Sequence, residues 1–247
     1  MPDKHGMHKN LKVYWFRKDL RLKDNRALTC FINDIKDGDK YIFIYIKNID
    51  SYKYYGEMRL AFLKQSLEEL FSSLIEMKMS LSILKGNSIE VFKMLLKKHK
   101  QITVYANKQI EPYSISRDDK VSDLLQSSDS ELKLYSDTML FEPNEVVKDD
   151  GLPYSVFTPF SKKCYSLLNE NHYSCSVTEI DKLNPDNCIS IKSEEIEIYR
   201  HSPVFIGGRK EGLKYLKDFY NNGLIKYKSQ RDFPSQNGTS LLSPHLH

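Results

Sequence analysis

The densest run of chemically capable side chains is WFRKDLRLKDNRAL, Trp15 to Leu28, where Arg17, Asp19, Arg21 and Asp24 follow one another within a few positions. Taken alone, that alternation of charge makes a local ion-pair cage that fixes a loop, since such networks need serve no chemistry. A second cluster is the hydroxyl set Thr239, Ser240 and Ser243. Ser243 followed by Pro244 reads as an N-cap with proline in the first helical turn, and hydroxyls beside a helix N-terminus can bind a pyrophosphate. An ordinary capped helix is the competing reading. No Ser/His/Asp or Cys/His constellation stands out. Cys30, Cys164, Cys175 and Cys188 are too far apart for a CxxC site, and His245 and His247 have no cysteine or carboxylate beside them, so no metal site is expected.

Positioning the first cluster requires regular elements on either side of it. Leu11 to Phe16, Tyr41 to Ile46, Leu81 to Leu84, Ile102 to Ala106 and Leu132 to Tyr135 are apolar runs of strand length. Helical periods separate them: Asn25 to Lys36 after a potential cap at Asp24, a long stripe of Leu60, Leu63, Leu67, Leu70, Phe71 and Leu74, a third helix capped by Asn87, and a fourth opening at Pro112. Strands apolar on both faces, alternating with helices, predict a doubly wound α/β domain with a five-stranded parallel sheet over residues 10–137. Neither GxGxxG after the first strand nor GxxxxGK[ST] is present. Ligands of such sheets sit beyond the strand C-termini at the switch point, here the loops Arg17 to Asp24 and Asn107 to Arg117. Residues 138–204 read as a connector, and a helical pattern returns over 205–247 through Leu213, Leu216 and Phe219.

The chain has 247 residues, 40% hydrophobic and 28% charged, which excludes bulk disorder and a small stapled scaffold. Its longest apolar runs fall far short of the roughly 20 residues of a membrane span. MPDKHGMHKN lacks the apolar core of a signal peptide, so a cytoplasmic location with reduced thiols and no membrane partner is expected. From Arg200 onward eight Lys/Arg face three acids, against an overall charge of +4, which suggests a polyanion on that side or a solvated helix face.

Four segments together resemble one family. WFRKDLRLKDN resembles the opening motif of DNA photolyases and cryptochromes, and ANKQIEPYSISRDDKV (Ala106 to Val121), LPYSVFTPFSKKC (Leu152 to Cys164) and YKSQRDFPSQNGTSLLSPHL (Tyr227 to Leu246) agree in order and spacing. The chain looks closest to class I cyclobutane pyrimidine dimer photolyases. The resemblance implies an antenna α/β domain, a linker and the start of an all-α FAD domain, incomplete at residue 247. It further implies a light-driven, FAD-dependent lyase that splits pyrimidine dimers in damaged DNA, and a monomer is expected. Tyr227, Thr239, Ser240, Leu241, Leu242 and Ser243 then match the flavin-binding segment, with Leu241 where many relatives carry arginine. Arg231 matches a DNA-facing position at the rim of the flavin pocket, although Asp232 beside it could simply pair with it. Asn107, Glu111, Tyr113 and Ser114 match the loop that binds the second, antenna chromophore. Tyr113 and Ser114 stand where folate binders have an Asn-Glu pair, which leaves a folate or a deazaflavin type open. Arg117 and Asp118 are expected to form structural ion pairs.

The family's remaining flavin-pocket positions would lie beyond residue 247, so the 247-residue chain is expected to hold FAD weakly and to repair little by itself. A cryptochrome-type blue-light signalling flavoprotein and a stand-alone pigment-binding module are the alternatives. Leu213, Leu216, Phe219 and Leu224 are expected to expose an apolar stripe.

Overall fold

Every strand expected from the sequence forms. In the computed structural model, which describes residues 10–169, 177–194 and 205–245, β1 (Leu11–Phe16), β2 (Tyr41–Lys47), β3 (Leu81–Lys85), β4 (Ile102–Asn107) and β5 (Glu131–Tyr135) build one sheet. Cys175, Arg200 and His247 lie outside the described residues. The strand order is β3-β2-β1-β4-β5 and every pairing is parallel. The chain therefore reverses its direction of travel across the sheet at β1, and the switch point opens between the C-terminal ends of β1 and β4.

Helices cover both faces because β1 and β2 are apolar on both. On one face, α1 (Arg26–Asp34) and α3 (Glu57–Glu76) bury Phe31, Leu67, Leu70 and Leu74 against Tyr14, Phe43 and Tyr105. On the other, α4 (Ser88–Lys98) and α5 (Pro112–Gln126) bury Phe92, Leu95, Val121 and Leu125 against Val13, Trp15 and Val104. Asn87 makes a full capping box with Glu90, and Pro112 opens α5 as expected. Two sequence readings shift. The cap of α1 is Asn25, whose side chain accepts from the Leu28 amide, while Asp24 takes a left-handed turn at φ 51°. Phe71 lies off the buried stripe of α3 and is half exposed, because the packed face follows Ala61, Leu67, Leu70 and Leu74.

The short α2 (Ile49–Tyr52) follows β2, and α6 (Phe157–Leu167) lies in the connector with no buried residue. Residues 177–194 then return along the α/β domain. Ile180 and Leu183 enter the first core, and the amides of Ile189 and Glu194 donate to the carbonyls of Tyr41 and Ile83. That covers the edge at β3, which would otherwise offer unpaired backbone to another chain. No helix among the described residues is long and apolar enough to cross a membrane.

The last segment docks on α3. The Gly207 and Gly208 amides donate to Gln65 Oε1 at 2.7 Å and Ser66 Oγ at 3.0 Å. The Lys210 amide, in the first turn of α7 (Arg209–Asp218), donates to the Glu69 carboxylate, so an acidic side chain of α3 caps that helix. Beyond α7 the chain passes through a wide turn and a 3-10 turn into α8 (Tyr227–Gln230). Of the expected stripe, Leu213, Leu216 and Leu224 are exposed, whereas Phe219 is half-buried against Tyr227; Ile225, not expected, is exposed as well.

The tyrosines of the core make stability pH-dependent. Tyr14, Tyr41 and Tyr105 are fully buried, and burial raises all three phenols above their ordinary value. The folded state keeps protons that an unfolded chain releases near pH 10, so this contribution is complete below pH ~10 and is lost above it. The expected slope is about 1.4 kcal/mol per pH unit for each phenol still protonated in the fold. Alkaline titration followed by phenolate absorbance should show these three ionising together with unfolding. Their ionisation in a chain that stays folded would contradict the assignment.

Candidate functional site

Loop 17–25 leaves β1 at the switch point with Arg17, Asp19 and Asn25 buried, while Lys18, Lys23 and Asp24 stay exposed. Asn107, the last residue of β4, donates from Nδ2 to Asp19 Oδ2 at 2.6 Å and to Asn25 Oδ1 at 2.8 Å, and its Oδ1 accepts from the Ala27 amide. The Tyr14 hydroxyl donates to Asn25 Oδ1 at 2.8 Å, and Asp19 Oδ1 accepts from the Arg17 amide. Burial, with the Asp19 charge second, holds the Tyr14 phenol well up. Each polar atom here offsets the desolvation of its neighbour.

Within the loop Arg21 Nε donates to the Asp24 carbonyl, but Arg17 and Arg21 both reach carboxylates outside the expected local cage. Arg17 makes a bidentate pair with Asp118 on α5, at 2.8 and 3.0 Å, and Arg21 pairs with Asp137 after β5. A loop tied only to itself would leave its guanidiniums in solvent, whereas Arg17 reaches a carboxylate 101 positions away and is buried with it. Burial and the nearby Arg117 push the Arg17 guanidinium down to about 10, so it stays charged at neutral pH. Arg117 donates from Nε to Asp118 Oδ1 at 2.9 Å and from Nη2 to Gln109 Oε1 at 3.1 Å. The expected structural pairing of Arg117 and Asp118 is present, with Arg17 as its third member. Both guanidiniums lie against the Trp15 ring, 4.0 and 4.9 Å from its centroid.

Above this layer lies a cleft of about 240 Å³. Trp15 and Arg17 line it from the end of β1, Tyr45 and Asn48 from the end of β2, Tyr52, Tyr55 and Arg59 from α2 and the start of α3, and Glu111, Tyr113, Ser114 and Arg117 from the start of α5. The only carboxylate among these lining side chains, Glu111, pairs with Lys18, which holds it below the usual carboxylate range. Arg59 stacks 3.9 Å over Tyr55, which stacks in turn on Tyr52. Asn48 Nδ2 donates to the Tyr113 hydroxyl at 2.9 Å and ties the β2 loop to α5. Flat aromatic walls with excess positive charge suit a planar, anionic or electron-poor ring.

Of the four residues expected to face a pigment, Glu111, Tyr113 and Ser114 line the cleft. Asn107 lies beneath it as the hub of the loop network and is 1% exposed. The wall from Tyr52 to Arg59 was not anticipated. Its signal is the tyrosine-rich SYKYYGEMR directly after the second strand.

The C-terminal set falls elsewhere. Gly238 packs so closely on the backbone of Gln230 that a Cβ would lie 2.4 Å from it, which folds residues 239–243 back against the end of α8. Thr239 and Ser243 are exposed, Ser240 and Leu242 half-buried, and Leu241 takes a left-handed φ of 54°. Ser243 starts a 3-10 turn with Pro244. Tyr227 is half exposed, with the Arg231 guanidinium 5.5 Å from its ring, and Arg231 lies 3.6 Å from Asp232. These hydroxyls and Arg231 can hydrogen-bond a phosphate. Apolar enclosure for a ring system does not form around Thr239 and Ser243, both of which lie exposed.

Comparison with known proteins gives a consistent picture. The family described as DNA photolyase matches residues 12–179. A deoxyribodipyrimidine photo-lyase of Agrobacterium fabrum is 28% identical over 95% of this chain and 50% of its own length. Cryptochrome-2 of Arabidopsis thaliana is 27% identical over 95% of this chain and 40% of its own. An archaeal photolyase from Sulfolobus tokodaii, solved with two FAD molecules and discussed for a novel light-harvesting cofactor, superposes with a TM-score of 0.75 at 26% identity, covering 96% of this chain and 51% of its own. The chain spans about half the length of the relatives it matches.

Proposed function

Because the chain belongs to the DNA photolyase family, we propose that it supplies the antenna domain and the opening flavin-binding segment of a light-driven lyase acting on cyclobutane pyrimidine dimers in DNA. Residues 10–137 are the antenna domain, 138–204 the interdomain connector and 205–247 the start of the FAD domain. The observation that carries this reading is the aromatic, cationic cleft at the switch point. When bound, a pigment there supplies excitation energy and FAD supplies the electron that splits the dimer.

The chain's own residues bind and orient. Tyr52 and Tyr55 stack against a ring that enters the cleft, and Lys18 and Arg59 hold its negative charge. Asn107, buried below, keeps loop 17–25 in place so that Trp15 forms a fixed floor. Tyr227, Thr239, Ser240 and Ser243 donate to the flavin's phosphates, with Leu241 and Leu242 as their backbone frame. Arg231 and the lysines around it meet DNA phosphates. The protein acts as a cytoplasmic monomer.

Purified chain titrated with flavin mononucleotide, a deazaflavin and a methenyl-folate should bind one of them, seen as a shift in ligand absorption. Tyr55→Ala, which removes one stacking face, should weaken that binding about tenfold. Binding of none of the three would sink the antenna reading. The similarity to a plant cryptochrome supports a signalling alternative. Joining residues 1–247 to the remaining helical domain of a repair-competent relative decides between them: dimer repair under near-ultraviolet light is expected, and a flavin-loaded fusion without repair would favour signalling.

A further inference from the structure

Trp15 is the only tryptophan of the chain, and it forms part of the cleft floor. When no proton leaves with the electron, indole is oxidised more easily than a phenol. A tryptophan in contact with a light-absorbing ligand would ordinarily quench it: one electron leaves the indole for the excited ligand, and its return releases the energy as heat. Two guanidiniums lie against the ring of Trp15, at 4.0 and 4.9 Å. They share the carboxylate of Asp118, and Asp19 accepts from the Arg17 amide behind them, so the charges in contact with the indole are the two guanidiniums, with the carboxylates on their far side as counter-charges chiefly of Arg17. The floor is buried, with Trp15 at 3% exposure, and water cannot screen those charges as it would at the surface. The same pattern recurs on the facing wall, where Arg59 lies 3.9 Å over Tyr55.

We propose that Arg117 and Arg17 guard Trp15 against oxidation by an excited ligand in the cleft, so that excitation leaves the site by energy transfer instead of being lost to electron transfer from its floor. The inference rests on the antenna reading of the cleft, and it makes Arg117 a positioning residue acting through Trp15. A positive charge against the ring opposes removal of an electron, because the indole radical cation would carry like charge. A purely structural role for Arg117, holding α5 to loop 17–25 through Asp118 and Gln109, would leave the oxidisability of Trp15 unchanged.

The test begins without any pigment. The folded chain is exposed to a small photogenerated one-electron oxidant, and the indole radical is followed by its absorption. With one tryptophan present, the signal belongs to Trp15. Arg117→Met should be oxidised about tenfold faster than the unaltered chain, a change that corresponds to about 1.4 kcal/mol in the activation barrier. Arg117→Lys, which keeps the charge without the planar fork, should stay close to the unaltered rate. Equal rates for all three, or Lys as fast as Met, would overturn the proposal. Arg117→Gln replaces the Met variant should that one fail to fold. A second measurement uses the unaltered chain with flavin mononucleotide in the cleft. A fluorescence lifetime near that of the free flavin supports the guard, and strong shortening with formation of the indole radical refutes it. Where flavin mononucleotide is not the one of the three pigments that binds, the pigment-free rates decide the guard by themselves.

Discussion

Replacing Asp118 with alanine should lower the unfolding free energy by about 3–5 kcal/mol, the cost of leaving buried charge without its partner. Asp118 is 5% exposed and accepts two hydrogen bonds from Arg17 and one from Arg117. Its loss strands two guanidiniums against one indole, with only the Asn107 carbonyl and Gln109 Oε1 left as acceptors. Burial already pushes Arg17 down to about 10 with the carboxylate in place, so the site has little tolerance for further uncompensated charge. Urea unfolding monitored by Trp15 fluorescence reads both stability and the integrity of the cleft floor. The double change Arg17→Met with Asp118→Leu should be milder than Asp118→Ala alone, because the more deeply buried guanidinium leaves with the carboxylate and only Arg117, which is less buried and still donates to Gln109, keeps its charge. A loss below about 1 kcal/mol in the single variant would mean that the pair is solvated, which would undo the description of the floor.

Gly207→Ala should release the C-terminal segment from the α/β domain. A Cβ at Gly207 would lie 2.2 Å from the carbonyl oxygen of Phe62, which belongs to the backbone of a 20-residue helix and cannot step aside. The amide bonds of Gly207, Gly208 and Lys210 to Gln65, Ser66 and Glu69 would be lost together, along with the ring contact between His245 and Phe62. Overpacking of this kind costs about 1–3 kcal/mol. For a segment whose leucines are already exposed, that is enough to shift docking substantially. Limited proteolysis should therefore cut residues 205–245 about tenfold faster than in the unaltered chain while the α/β core persists. Unchanged cleavage would show that the segment is held by something other than the α3 contacts.

The architecture was legible in the sequence. Strands such as LKVYWF and YIFIYIK are apolar on both faces, and a sheet covered on both sides satisfies that pattern, so class and strand count followed from local chemistry, whereas the switch point was placed by the usual order of such sheets. The cap at Asn87 and the helix start at Pro112 depend on residues within one turn and were equally readable. The four motifs in register pointed to the family that the comparison bears out.

Partner choice was not legible, because it is set by distance in space. The charges of loop 17–25 suggested a cage closed on itself, and the fold sends Arg17 to Asp118 and Arg21 to Asp137. Asn107 stood in the right loop, but only the crossing of β4 beside β1 turns its amide inward to Asp19 and Asn25 rather than toward a ligand. The tyrosine wall from Tyr52 to Arg59 comes from a segment that no motif marked, and it meets Trp15 because β2 lies next to β1. Sequence determined which elements form, since propensity and burial pattern act over a few residues. Tertiary structure decided which side chains share a cleft, since that follows from strand order, and strand order is a long-range choice that no local pattern encodes.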